Sequence, residues 1–378
     1  MASNSRNLRR DLLKLMGTGA AAASLGACAP MPTGAGRYER PYSRKPWVAP
    51  RIDRENVIRE VVGHRPYRPG GFVVRSEKQG DKVVVHNYGH GGAGITLSWG
   101  SSALAVRETL GMTHRDVAII GSGVMGLTSA RLLQDAGWNI TIYTKDMARH
   151  TTSNVAGGEW GPFSAHDPAV SSDAFKSQLA FAARISHHAH TNLGGPDYGI
   201  RWTELYRPTD EVEDDTDGER FPELYPYEGL MGPGEHPFPT RYCQVSVTMM
   251  VEPAVFLRRL TEDVHQAGGK FVIRNFADRE ELQTLPEPVI FNCTGLGARA
   301  LFGDEELTPA KGQLVYLPPD PDVDYLTIGG GNGNLYMFSR SDVLLLGGTF
   351  KLGDWSTNPE PAETERILRE HQRLFARF

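Results

Sequence analysis

Three glycines spaced Gly121-x-Gly123-x-x-Gly126, with the acid Asp146 about 20 residues further on, form an arrangement that can hold a dinucleotide. Glycines at this spacing allow a tight turn and let a pyrophosphate approach a helix N-terminus, where unpaired N–H groups and the dipole favour anions. The acid is then available to a ribose hydroxyl. The positioning elements are legible on both sides. Val117 to Ile120 is a short apolar run suited to a buried parallel strand, and Leu127, Ala130, Leu132 and Leu133 give the next segment one apolar helical face. A second strand, Ile140 to Tyr143, delivers Lys145 and Asp146. This βαβ unit predicts an adenine dinucleotide held by Gly121, Gly123, Val124, Met125, Gly126, Lys145 and Asp146. Spacing alone leaves a plain glycine-rich turn or an NAD site open.

At 378 residues a single core usually gives way to two domains. A net charge of −5 with interspersed signs offers no basic stripe, so nucleic acid is not an expected partner. The acidic stretch 211–219 contains Asp215 and Asp217 but lacks calcium-loop spacing, and it reads as a solvated surface loop.

The N-terminus reads as a targeting segment. Arg9 and Arg10 precede a weakly apolar stretch ending in Leu25-Gly-Ala-Cys28, the pattern of a twin-arginine signal joined to a lipoprotein cleavage box. The stretch is short, carries Lys14 and is rich in alanine and glycine, which makes it a poor membrane span. The expectation is a signal over 1–27, acylation at Cys28, a proline- and glycine-containing linker over 28–55, and export by the twin-arginine machinery. The mature protein would then sit in the bacterial cell envelope or periplasm, held to the membrane by its lipid. Cys243 and Cys293 remain, too few for a disulfide framework, and spacing does not decide whether they pair.

Other runs point to a family. His86-Asn-Tyr-Gly-His-Gly-Gly-Ala-Gly94, Arg65-Pro-Tyr-Arg-Pro69, Asn292-Cys-Thr-Gly-x-Gly-Ala298, Gly347-Gly-x-Phe350 and Gly353-x-Trp355 together resemble the D-amino acid oxidase family. Their order differs from the family's, because the HNYGHGG run precedes the fingerprint instead of following it. The resemblance therefore implies a circular permutation, in which reading Arg115 to Phe378 and rejoining at Glu55 restores the family order. The original termini would be neighbours, with a strand over Val57 to Val62 beside a C-terminal helix over Glu363 to Ala376.

The fold this implies is α/β: a Rossmann-like FAD-binding domain (68–165 and 245–312) plus a mixed β-sheet substrate domain (56–67, 166–244 and 313–378). FAD would be the cofactor. Beyond the fingerprint, the resemblance assigns it Thr151, Thr152, Ser153, Gly157, Gly158, Trp160, Thr294 and Gly295, with Gly91, Gly94, Ile95 and Thr96 along the flavin ring. Lys311-Gly-Gln313 resembles the family's Arg-Gly-Gln turn, with lysine for arginine. Arg68 would grip the substrate carboxylate, since a guanidinium fork fits it bidentately. Tyr336 would hydrogen-bond the same carboxylate, and the Gly92 carbonyl would take the amine. Arg340 or Lys351 could supply a further cation for acidic substrates. The glycine-rich Gly329 to Asn334 stands where mammalian members carry a longer lid, which implies a more open site. His86 and His90 lack a third ligand, so no metal is expected.

The implied reaction is oxidative deamination of D-amino acids. The α-hydrogen would leave as hydride to flavin N5, the imino acid would hydrolyse to a 2-oxo acid and ammonia, and dioxygen would become hydrogen peroxide. Orientation would supply much of the catalysis. Glycine or another amine, an acceptor other than dioxygen, or a flavin-binding envelope lipoprotein without catalysis are the alternatives.

Overall fold

Alternating small and apolar positions in the strands build two sheets, which the computed structural model resolves over residues 46–212, 221–331 and 334–378. The expected signal, Cys28, the linker up to residue 45 and most of the acidic 211–219 stretch lie outside the described residues.

The strands, in chain order, are β1 (Arg59–Tyr67), β2 (Val73–Gln79), β3 (Lys82–Tyr88), β4 (Asp116–Ile120), β5 (Asn139–Thr144), β6 (Ile200–Thr209), β7 (Glu228–Met231), β8 (Tyr242–Val251), β9 (Lys270–Ile273), β10 (Val289–Asn292), β11 (Thr308–Leu317), β12 (Tyr325–Ile328), β13 (Tyr336–Ser339), β14 (Leu344–Gly347) and β15 (Lys351–Leu352). Among the described residues, one sheet has the order β2-β3-β10-β4-β5-β9. Its members from β3 to β9 run parallel, and β2 closes one edge antiparallel. The second is mixed, in the order β1-β11-β14-β13-β12-β6-β8-β7, with β15 on β11. Its pairs are antiparallel except β12 with β6.

The fingerprint unit forms as read. β4 is buried from Val117 to Ile120, and α2 (Val124–Asp135) follows directly from the glycine turn. Helix α1 (Gly94–Arg107) begins inside the HNYGHGG run and packs against α2 and against α3 (Asp173–Asn192). Gly100 is the contact residue, since a Cβ there would lie 2.0 Å from the Ala182 carbonyl. Lys311-Gly-Gln313 is not a turn: it lies inside β11, where Gly63 pairs with Gly312 across from β1.

The start of the described chain lies on its end. Gln372 of α4 (Pro361–Leu374) donates to the Ile52 carbonyl at 2.7 Å, and Trp47 meets Phe378 edge-on at 5.8 Å between ring centroids. Cys243 and Cys293 are free and buried, on β8 and just beyond β10. Burial pushes the Cys293 thiol up to about 12, so it packs as a thiol. Among the described residues no helix is long and apolar enough to cross a membrane.

Candidate active site

The carboxyl ends of the parallel strands open into a cavity of about 650 Å³ whose far wall is β1, β11 and β13 of the mixed sheet. This is the crevice in which open α/β sheets bind ligands.

At one end the glycine turn is shaped for close approach. Gly121 has φ +106°, and a Cβ there would lie 2.5 Å from the Cys293 carbonyl. A Cβ on Gly126 would meet the Gly121 carbonyl at 1.9 Å, so this glycine closes the turn on itself and does not line the cavity. Ser153 Oγ accepts from Val124 N–H at 3.1 Å. Ser122 and Thr144 hydroxyls both donate to the Asp146 carbonyl, at 2.8 and 2.6 Å, fixing the loop that carries Lys145 and Asp146 into the cavity. Thr294 Oγ1 donates to Asn292 Oδ1 at 2.7 Å, holding the Thr294-Gly295 turn on the opposite lip. Gly91, Gly94, Ile95, Thr151, Thr152, Ser153 and Gly157 complete the lining. Helix α1 starts without a side-chain cap, leaving its first N–H groups to a ligand.

Besides Gly126, three expected cofactor residues stand back. Trp160 and Thr96 are buried, and Thr96 Oγ1 accepts from Gly161 N–H at 3.2 Å. Gly158 packs on the Val251 carbonyl, where a Cβ would approach to 2.3 Å. They shape the wall from behind. Conversely, Arg274 to Ala277, which follow β9, reach the cavity beside Asp146 and were missed. Their signal was positional only, as the loop after a parallel strand.

The arginine expectation is corrected. Arg68 does not line the cavity: its Nε donates to Asp304 at 3.0 Å, its Nη2 pairs with Glu306 at 3.1 Å, and Tyr88 Oη donates to the same Asp304 at 2.8 Å. It is a clasp between the loop after β1 and the segment before β11. Arg65 takes the cavity position instead. It lies in β1, its Nη2 donates to Tyr336 Oη at 3.1 Å, and its buried Nη1 has no hydrogen-bond partner in the protein. Glycines make room for both groups. A Cβ on Gly312 would lie 2.5 Å from Arg65 Nη1, and one on Gly347 would lie 2.0 Å from the Tyr336 ring. Gly92 faces the same pair, with its ideal Cβ position 3.7 Å from Arg65 Cδ.

The other cations are occupied. Arg340 is buried and holds Asp342 through Nε at 2.8 Å, and Lys351 pairs with Glu360 at 2.7 Å. Lys311 is buried on Glu360 and Asp354, at 2.8 and 3.3 Å. His90 stacks on Phe72 at 4.6 Å between centroids, and burial pushes it down to about 3. Burial likewise holds His86 near 4, beside Asn292 Nδ2, which donates to its Nδ1 at 3.0 Å. Among the described residues no group of three candidate metal ligands occurs.

Residues 116–378 match the family described as FAD dependent oxidoreductase. The chain is 30% identical to a D-amino-acid oxidase of Streptomyces coelicolor over 257 residues, covering 67% of this chain and 76% of the relative. It is 28% identical to a D-amino-acid oxidase of Rubrobacter xylanophilus, covering 71% and 80%. A glycine oxidase from Geobacillus kaustophilus superposes with a TM-score of 0.51 at 19% identity, over 69% of this chain and 78% of that one, a likeness of fold. The chain belongs to this family of FAD dependent oxidoreductases, and its cofactor is FAD. The glycine turn, the Asp146 loop and the uncapped start of α1 suit such a dinucleotide.

Proposed function

We propose that the protein is a D-amino acid oxidase whose chain is circularly permuted, and that Arg65 and Tyr336 hold the substrate carboxylate. The Arg65–Tyr336 hydrogen bond carries this reading: a guanidinium with a free buried nitrogen and a phenol converge on one point of the flavin cavity. A carboxylate there would accept from Nη1 and from the phenol, two charge-assisted bonds that fix the orientation of the α-carbon. The Gly92 carbonyl is the acceptor suited to the amine. Bound flavin supplies the two-electron acceptor, and its reoxidation by dioxygen yields hydrogen peroxide. The chain's own share is to grip, orient and exclude water, and no side-chain nucleophile is required.

The permutation rests on two observations. The family match starts at Asp116, the first residue of β4, yet Arg65, Gly91, Gly92, Gly94 and Ile95 of the cavity all precede it. Of the preceding strands, β3 fills an inner place beside β10, and β1 forms the edge of the mixed sheet along β11. On this reading a flavin domain (68–165 and 245–312) joins a substrate domain drawn from 56–67, 166–244 and 313–378. The twin-arginine pattern and Cys28 support export and lipid anchoring at the cell envelope, where the enzyme would meet D-amino acids.

The test is anaerobic flavin bleaching by matched D- and L-amino acids and glycine, with Arg65→Ala as control. Bleaching by D-alanine that is lost in the variant is expected. Bleaching by glycine or an L-amino acid in preference would overturn the substrate assignment, and a flavin inert to all of them would overturn amine oxidation.

A further inference from the structure

Beyond the carboxylate clamp, one row of the mixed sheet runs on from Tyr336. Tyr336 pairs with Ile328 across β13 and β12, and Thr327 pairs with Tyr206 across β12 and β6. The next residues of that parallel pair, Ile328 and Arg207, therefore abut, and strand alternation turns both to the face that carries Tyr336. Leu205, Leu326 and Phe338 confirm the face by packing in one cluster, with Ile328 and Tyr336 beside them. Two strand spacings put Arg207 about 10 Å from Tyr336, the reach of an amino-acid side chain.

The segment from Glu159 to Ser164 bridges Gly92 of the cavity lining and Arg207 of this row. Ser164 Cβ lies 3.2 Å, and the Phe163 carbonyl 3.7 Å, from the ideal Cβ position of Gly92. The Phe163 ring lies 5.5 Å from the Arg207 guanidinium carbon. Glu159 Oε1 is shut from solvent with no hydrogen-bond partner, while the residue keeps some accessible surface despite dense surroundings. Burial raises its carboxyl to about 7, and Arg207 pulls against that shift. The two groups make no direct ion pair, and the Arg207 side chain donates a long hydrogen bond to Ser246 Oγ at 3.4 Å.

A buried acceptor without a donor and a cation held by a ring face and one long hydrogen bond, set apart from each other, match a group that donates on one side and accepts on the other. Resting on the amino-acid oxidase reading, we infer that Glu159 and Arg207 form the side-chain subsite and select a short side chain ending in a primary carboxamide. Its NH2 would donate to Glu159 and its carbonyl would accept from Arg207. A side-chain carboxylate would satisfy Arg207 but face Glu159, and a side-chain ammonium would satisfy Glu159 but face Arg207. An apolar side chain would leave both unmet, and that is costly in a buried site.

The experiment is anaerobic flavin reduction of the holoenzyme by D-asparagine, its isostere D-leucine, D-aspartate, D-lysine and D-alanine. The ratio of bimolecular reduction constants for D-asparagine over D-leucine is expected to be about tenfold or more. It should fall toward one in Glu159→Leu and, separately, in Arg207→Met, each read only in protein that retains flavin. Equal constants for asparagine and leucine, a ratio that survives both substitutions, or a preference for aspartate or lysine over asparagine would overturn the subsite. D-alanine separates the levels. If it reduces the flavin, a missing preference counts against the subsite; if no amino acid does, the oxidase reading itself fails.

Discussion

Arg65 Nη2 donates to Tyr336 Oη at 3.1 Å, joining an edge strand of the mixed sheet to one three places inward. The two side chains lie over Gly312 and Gly347, whose missing Cβ atoms leave their slots. The arginine, the phenol and the glycines beneath them are therefore a single construction.

Arg65→Ala should weaken the binding of a 2-oxo acid product to the oxidised enzyme about 100-fold, because it removes one partner of a buried charge pair. Arg68→Ala should leave that affinity within about threefold and cost about 1 kcal/mol of stability, as expected for a part-exposed ion pair with Asp304 and Glu306. Titration of the flavin spectrum and chemical denaturation distinguish the two arginines. Equal losses of affinity would return Arg68 to the site.

Gly347→Ala should push the Tyr336 ring out of its slot, since the new methyl would lie 2.0 Å from it. The expected result is about a tenfold loss in 2-oxo acid affinity with flavin content unchanged. Unaltered affinity would mean that the phenol does not touch the carboxylate.

Gly126→Ala acts at the other end. Its Cβ would meet the Gly121 carbonyl at 1.9 Å and open the turn. Purified protein should carry less than about a tenth of the normal flavin while keeping its far-ultraviolet circular dichroism.

His90 and His190 are each pushed down to about 3 by burial. In the unfolded chain they take up protons as pH falls through about 6.5. The folded state does not, so stability is full above that pH and is lost as pH falls from there toward 3. Each contributes a slope of about 1.4 kcal/mol per pH unit in that window. Melting temperatures between pH 7 and 5 should fall less steeply in His190→Leu than in the parent protein. Parallel curves would show that His190 does not drive the loss.

Chain connectivity gives a direct test of the permutation. Gln372 holds the Ile52 carbonyl and Trp47 sits on Phe378. Joining Phe378 to Glu55 by a short glycine-serine link and opening the chain before Arg115 should give a folded, yellow protein. Its failure to bind flavin would count against the rearranged order.

The fingerprint unit was legible because its signals are local. β4, the glycine turn and α2 follow from apolar runs and spacing between residues close in the chain. The choice between Arg65 and Arg68 was not, because both stand in one proline-bounded run and differ only in what lies across the sheet. Val61, Gly63 and Arg65 alternate onto one face of β1, which was the available clue, but the face acquires meaning only from Gly312 and Tyr336 on distant strands. Glu159 escaped notice for the same reason. Its isolation is a property of packing, and its neighbours in sequence are glycine and tryptophan.

The register of β1 also bears on how the chain matures. Arg59 must wait for Tyr316, and Tyr67 for Thr308, before either has a partner. During synthesis the strand that carries Arg65 emerges well before its partner, and its backbone hydrogen-bonding groups stay unpaired until residues 308–316 have left the ribosome. Pairings so remote in sequence are slow to close and exposed to aggregation. Arg65 is therefore made long before the strand that secures it.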